Sequence, residues 1–158
     1  AFLKNKQADE KAKIKENVLA FLNRITNEIH LIKKVPEMLT VYGELDFETI
    51  PADAVLRRYA VRLDGLSTLC SLLFSTPEHL VFNPLYAKEF FERSSELNLL
   101  EKAPKPYLTG KMLLDLGMTP GKEMGVVIQE SFELQLNGEI KNANEALEFA
   151  KNKLAISI

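Results

Sequence analysis

Between Pro106 and Gly138 the chain reads PYLTGKMLLDLGMTPGKEMGVVIQESFELQLNG. This stretch predicts two helix starts in quick succession. At the first, Thr109 stands ahead of Gly110 and Lys111. At the second, Thr119 stands ahead of Pro120, Gly121 and Lys122. A threonine hydroxyl accepts a bond from an otherwise orphaned N–H of the first turn. Proline suits the first helical position, where its missing N–H would be unpaired anyway. Gly117 supplies the left-handed residue that ends the first helix, and Asn137-Gly138 ends the second. Each start carries a glycine that admits close approach and a lysine beside it. Orphan N–H groups, the positive end of a helix dipole and a nearby ammonium together predict a phosphate site. The same residues also serve as ordinary helix punctuation, and the local pattern leaves both readings open.

The longer run LTGKMLLDLGMTPGKEMGVVIQESFELQLNGEIKNANEALEFAK resembles the C-terminal segment of bacterial tRNA nucleotidyltransferases, the CCA-adding enzyme and poly(A) polymerase family. That segment reads Leu-Thr-Gly-Lys-Asp-Leu-Leu, then Leu-Gly, then Pro-Gly, then a Gly and an acidic helix ending in Asp-Gly-Glu. The matching positions are Leu108 to Lys111, Leu113, Leu114, Leu116, Gly117, Pro120, Gly121, Gly125, Gln135, Leu136, Gly138 and Glu139. Met112 and Asn137 stand where the family has Asp. The motif covers about the last third of the chain. The run DAVLRRYAVRLDGLSTLCSLLF resembles the family's helical body more loosely. The resemblance implies a body and tail that grip tRNA while a separate N-terminal head adds nucleotides to its 3′ end. The parent activity is template-free CMP and AMP transfer, with magnesium held by the head.

Composition sets the outer bounds. The 158 residues suffice for one compact domain or two small helical lobes. A hydrophobic content of 46% belongs to a folding chain rather than a disordered one. The net charge of −2 announces no nucleic-acid binder, so any basic surface must be local. Cys70 is the single cysteine. It excludes an internal disulfide and fits a reducing, cytoplasmic setting. Its neighbours in LSTLCSLLF predict a buried structural thiol. No apolar run approaches about 20 residues, so neither a membrane span nor a signal peptide is expected. Ala rather than Met at position 1 leads to the expectation of a fragment or a processed chain.

In chain order, residues 1–8 are expected to fray, with Asp9 capping one long helix to about Lys34. Ile14, Val18, Leu22, Ile25, Ile29 and Ile32 step by three and four along its face, which Leu19, Phe21 and Leu31 broaden. The first 34 residues hold eight Lys or Arg against four Asp or Glu. That excess reads as a solvated face, with Lys33 and Lys34 favouring the helix C-terminus, ahead of an RNA surface. Pro36 is expected to open a short helix closed by Gly43. Glu44, Asp46 and Glu48 then alternate. The family's magnesium-binding aspartates also alternate, but on a strand after a Gly-Ser turn, and neither is present here. These acids read as a loop without metal. His30 and His79 stand alone and make no metal site.

Pro51–Leu63 reads as a helix with Val55, Leu56, Tyr59, Ala60 and Leu63 inward and Arg57, Arg58 and Arg62 outward. Arginines one turn apart can clamp phosphates, or pair with acids on the surface. Asp64 or Ser67 begins the next helix, ending near Ser75. Asn83 and Pro84 start another, with Leu85, Phe90, Phe91, Leu97 and Leu100 on its core face. EKAPKPY follows as a stiff basic link and the expected boundary between lobes. Asn142 and Glu145 form a capping-box-like start for the last helix. No stretch alternates with period two, so no sheet is expected.

The expected architecture is therefore all-α: a helical body over 9–100 and a helical tail over 105–155. The expected partners are tRNA and the N-terminal head, with no membrane and no cofactor in this chain. With no catalytic residues of its own, the chain is expected to be inactive. Lys105, Lys111 and Lys122 are expected to meet the RNA backbone, helped by Thr109, Gly110, Thr119 and Gly121, with Tyr107 placed to stack. Arg57, Arg58 and Arg62 are the next candidates. A second reading is a helical protein–protein module using Phe90, Phe91 and the tail helices. A helix–hairpin–helix DNA element ranks last, because that motif wants its glycines closer than Gly117 and Gly121.

Overall fold

Apolar side chains spaced by three and four become helices wherever a cap or turn residue lets one start. A computed structural model describes residues 2–26 and 28–156. Its helices are α1 (Phe2–Ile25), α2 (Ile29–Glu44), α3 (Asp53–Leu63), α4 (Ser67–Phe74), α5 (Tyr86–Glu96), α6 (Gly110–Asp115), α7 (Lys122–Asn137) and α8 (Ala143–Ile156), with a 3-10 turn at Glu78–Leu80. No strand occurs among the described residues, and the fold is all-α. None of these helices is long and apolar enough to cross a membrane.

The N-terminal region departs from the expected single helix. Helix α1 already runs at Phe2, so residues 2–8 are helical rather than frayed, and Asp9 lies inside it rather than capping it. The ladder stops at Thr26, whose N–H still reaches Leu22 C=O at 3.0 Å. The Thr26 hydroxyl then accepts the Glu28 N–H at 3.1 Å. Such a local side-chain bond offers the backbone an alternative to the helix. Position 27 and the side chains of Ile25, His30 and Leu31 lie outside the described residues. Pro36 does not open a helix either: it is buried within α2. It cannot donate to the carbonyl four residues back, but its own C=O accepts the Thr40 hydroxyl at 2.9 Å.

The chain divides into two packed units: Ala1–Pro51 with Tyr59–Ala103, and Ala52–Arg58 with Pro104–Ile158. Residues 52–58, which the sequence assigns to the body, thus group with the second unit. In the first unit Val41, Leu63, Leu69, Leu73, Tyr86 and Phe90 are buried. Truncating a side chain such as Phe90 to Ala would cost about 3–5 kcal/mol in lost transfer energy and cavity. Phe91 and Leu85, expected beside it, are exposed. The reason is the face turned to the core: Tyr86, Phe90 and Ser94, four residues apart, form the buried side of α5, Phe91 lies about 100° round from it, and Leu85 precedes the helix. Cys70 is buried there too, and burial pushes its thiol up to about 11. At Gly65 (φ +105°) an added Cβ would lie 2.7 Å from Leu100 C=O, so only glycine lets the α3–α4 corner sit on that strand of chain.

The second unit has its own core of Leu108, Leu113, Val127, Ile140, Ala146 and Ala150, with Met112, Met118 and Met124 packed against it. Helix α8 starts on a capping box. Asn142 Oδ1 accepts the Glu145 N–H at 3.0 Å, and Glu145 Oε2 accepts the Lys141 N–H at 2.7 Å.

Candidate nucleic-acid interface

In the second unit, Thr109 caps α6. Its backbone is extended (φ −113°, ψ 157°), and its hydroxyl accepts the Met112 N–H at 3.4 Å. Gly110 and Lys111 form the first turn. Gly117 takes the left-handed conformation (φ +86°) after α6. The start of α6 lies against the first turn of α7: a Cβ on Gly110 would come 3.5 Å from Met124 Sδ. The fold therefore brings the two halves of the motif together.

The second start differs from expectation. Thr119 does not cap α7, and Pro120 and Gly121 are not in it. Helix α7 begins at Lys122 with Gly121 as cap and no side-chain bond. The reason is local: Gly121 is fully extended (φ 169°, ψ −173°), which takes the chain out of helical geometry just before Lys122. Lys122 thus occupies the first helical position, with Glu123 beside it in the first turn. Helix α6 has only six residues, so Lys111 rather than a macrodipole is the main positive charge at its start.

Two glycines of the motif leave open space where a side chain would stand, although Gly121 still caps α7. A Cβ on Gly121 or Gly125 would meet nothing within 4 Å. Gly125 is the fourth residue of α7 and has no positive φ, so glycine there costs up to about 1 kcal/mol relative to alanine. Lys105, Lys111 and Lys122 are exposed, and among the described residues their ammonium groups have no ion pair or hydrogen bond. Tyr107 is 40% exposed. The link that carries Lys105 and Tyr107 is fixed by Gln135, a buried residue of α7. Gln135 Oε1 accepts the Tyr107 N–H at 2.9 Å and Nε2 donates to Lys105 C=O at 2.8 Å. Composition had given no hint of this clamp, although Gln135 was one of the motif positions.

The arginines are already engaged. Arg57 donates from Nη1 to Leu136 C=O at 3.1 Å, and its Nη2 lies 3.9 Å from Asp53 Oδ2. It thus serves the last turn of α7, where carbonyls lack helical partners. Arg58 donates to Asn137 Oδ1 at 2.8 Å, Glu133 Oε2 at 3.2 Å and Ala54 C=O at 3.2 Å. In the first unit Arg62 bonds Glu37 and Glu44, at 2.6 Å and 3.1 Å for the closest approaches, and stacks 5.8 Å from the Tyr59 ring centroid. Burial, reinforced by Glu44, pushes the Tyr59 hydroxyl up to about 12. Of the alternating acids, Asp46 accepts the N–H groups of Glu48 and Thr49 at 2.8 and 2.9 Å. Those bonds hold its carboxyl below the usual range. Among the described residues no group of acids, histidines and cysteine is gathered as a metal site.

The fold and this surface define an all-helical protein with a compact C-terminal unit that presents three free lysines and an aromatic ring. No family model, no curated protein and no solved structure matches the chain.

Proposed function

We propose that this chain is the tRNA-binding part of a protein of the tRNA nucleotidyltransferase and poly(A) polymerase family. In this reading the second unit grips the RNA backbone while a separate head domain adds nucleotides to the 3′ end. The observation that carries the reading is the open space over Gly121 and Gly125 on α7, with the unpaired Lys122 next to Gly121 and the unpaired Lys111 next to Gly110, which packs on Met124. Gly121 caps α7, and neither glycine is required by positive φ or internal packing, so this surface leaves room for close approach by an external group. Lysines reach phosphate as mobile point charges, which suits recognition of the shape of a folded RNA rather than its bases. Arg57, Arg58 and Arg62 already bond groups of their own units, so the lysines come first. The chain alone should transfer no nucleotide, because the carboxylates that hold magnesium belong to the head.

The test is a gel shift with folded tRNA at two salt concentrations. Lys111→Glu with Lys122→Glu should weaken binding far more than Lys141→Glu with Lys151→Glu, both pairs being exposed. Each lost phosphate contact should lower the salt slope by roughly one unit. Equal affinities for the two folded double variants would remove the RNA site from this motif.

A protein-interaction reading is favoured by a different surface. Phe90 is in the core and cannot dock a partner, but Phe74, Phe82 and Phe91 of the first unit are exposed.

A further inference from the structure

Between the end of α4 and the start of α5, the first unit has a cleft of about 310 Å³. Phe74, Val81, Pro84 and Tyr86 form apolar walls, and Glu78 and Lys88 also line it. Leu80, Phe82, Leu85 and Phe91 stand exposed on the same segments. Phe82 is 82% exposed although it falls between two wall residues of the cleft, Val81 and Pro84. The exposed parts of these apolar side chains amount to on the order of 500 Å², near the upper end of what a monomer shows.

We propose that this face joins two copies of the chain in a symmetric dimer, Phe82 of each copy seating in the cleft of the other. A two-fold interface uses the same patch on both copies, so the patch must offer both a projection and a recess. Here both lie within one short segment. The sizes agree: an apolar cavity of about 150 Å³ takes benzene, and this cleft has twice that volume. The charges agree as well. Glu78 has no partner among the described residues, while Lys88 holds only an exposed pair with Glu92 at 3.7 Å. In a two-fold pair a contact of Glu78 with the partner's Lys88 would be made twice, opposite charges at the edge of an apolar centre. A polyanion finds no such match, because Glu78, Glu89 and Glu92 outnumber the single lysine on this segment. A standard interface buries about 800 Å² per partner. This patch offers on the order of 500 Å² per copy, at the weak, transient end, so the dimer should be weak and concentration-dependent.

Sedimentation velocity of the full chain over about a hundredfold range of concentration should show the mass rising from monomer to dimer. Phe82→Glu should raise the dissociation constant by at least about thirtyfold, as loss of a buried aromatic anchor does. Its helical circular dichroism should not change, since Phe82 lies outside the core. Glu78→Lys should weaken the dimer, and Glu78→Lys combined with Lys88→Glu should restore it. A wild-type chain that stays monomeric throughout overturns the proposal. So does a dimer unchanged by Phe82→Glu, which would place the contact on another surface.

Discussion

Gln135 holds the backbone of Tyr107. The Tyr107 N–H donates to Gln135 Oε1 at 2.9 Å, while the other end of the same carboxamide donates to Lys105 C=O at 2.8 Å. One buried side chain thereby satisfies a donor and an acceptor of an extended link that has no ladder of its own. It also sets where Lys105 and Tyr107 emerge. Gln135→Leu should keep the volume and strand both link groups, at a cost of about 1–3 kcal/mol. Urea unfolding measures this. Under the proposed function the same variant should bind tRNA less well, and unchanged stability would show that the clamp is dispensable.

The two threonines should behave differently. Thr109→Ala should cost about 1 kcal/mol, because it removes the acceptor for the Met112 N–H. Thr119→Ala should cost less than half of that, since Thr119 caps nothing and is exposed. Thermal unfolding of the pair gives the comparison, and equal losses would return α7's start to Thr119.

Gly125→Ala should separate stability from binding. The substitution fills open space on a helix, so the chain should gain roughly 0.5–1 kcal/mol. Under the proposed function the added methyl obstructs close approach, and tRNA affinity should fall. A variant that is more stable and binds equally well would count against the open space over Gly125 as an RNA surface.

Gly138 should tolerate no side chain. It sits at φ +84°, where an L-residue is strained by about 1–2 kcal/mol, and its Cβ would come 3.3 Å from Arg57 Nη1. Arg57 in turn serves the Leu136 carbonyl. Gly138→Ala should therefore destabilise by more than about 1 kcal/mol. In an Arg57→Ala background the loss should shrink, because one of its two causes is gone. Chemical denaturation of the four chains of this cycle measures the coupling.

Acid should weaken the first unit through Glu37. Burial alone would raise its carboxyl, but Arg62 and Lys15 outweigh burial and hold it below its ordinary value of 4.5. A lowered folded value means the stabilisation is complete above the ordinary value and is lost as pH falls through the folded one. The groups are about one-third exposed, so solvent screening leaves on the order of 1 kcal/mol. Arg62→Ala should be less stable than wild type near neutral pH, and the gap should narrow below about pH 4. A gap that is constant with pH would assign the loss to packing on Tyr59 instead.

Much of the helical fold was legible because its signals are local. The Thr109 cap, the Asn142–Glu145 box and the Gly138 stop each depend on bonds that span at most four or five residues, and those residues are adjacent in the sequence. The apolar spacing likewise excluded a sheet, since a strand needs a period of two. What tertiary structure decided depends on groups far apart in the chain or on geometry that no residue type specifies. Arg58 meets Asn137 across 79 positions, and Arg62 meets Glu37 across 25. Outward-facing arginines on α3 read equally as phosphate clamps or as ion-pair partners until the acids facing them are placed. The break at Thr26 and the extended Gly121 are likewise backbone geometries that residue type alone does not specify. Phe90 and Phe91 make the same point most simply: adjacent and chemically identical, one is buried and the other exposed because the core meets the face of α5 that carries Tyr86, Phe90 and Ser94. A helix's register against its core is fixed only when the core is assembled.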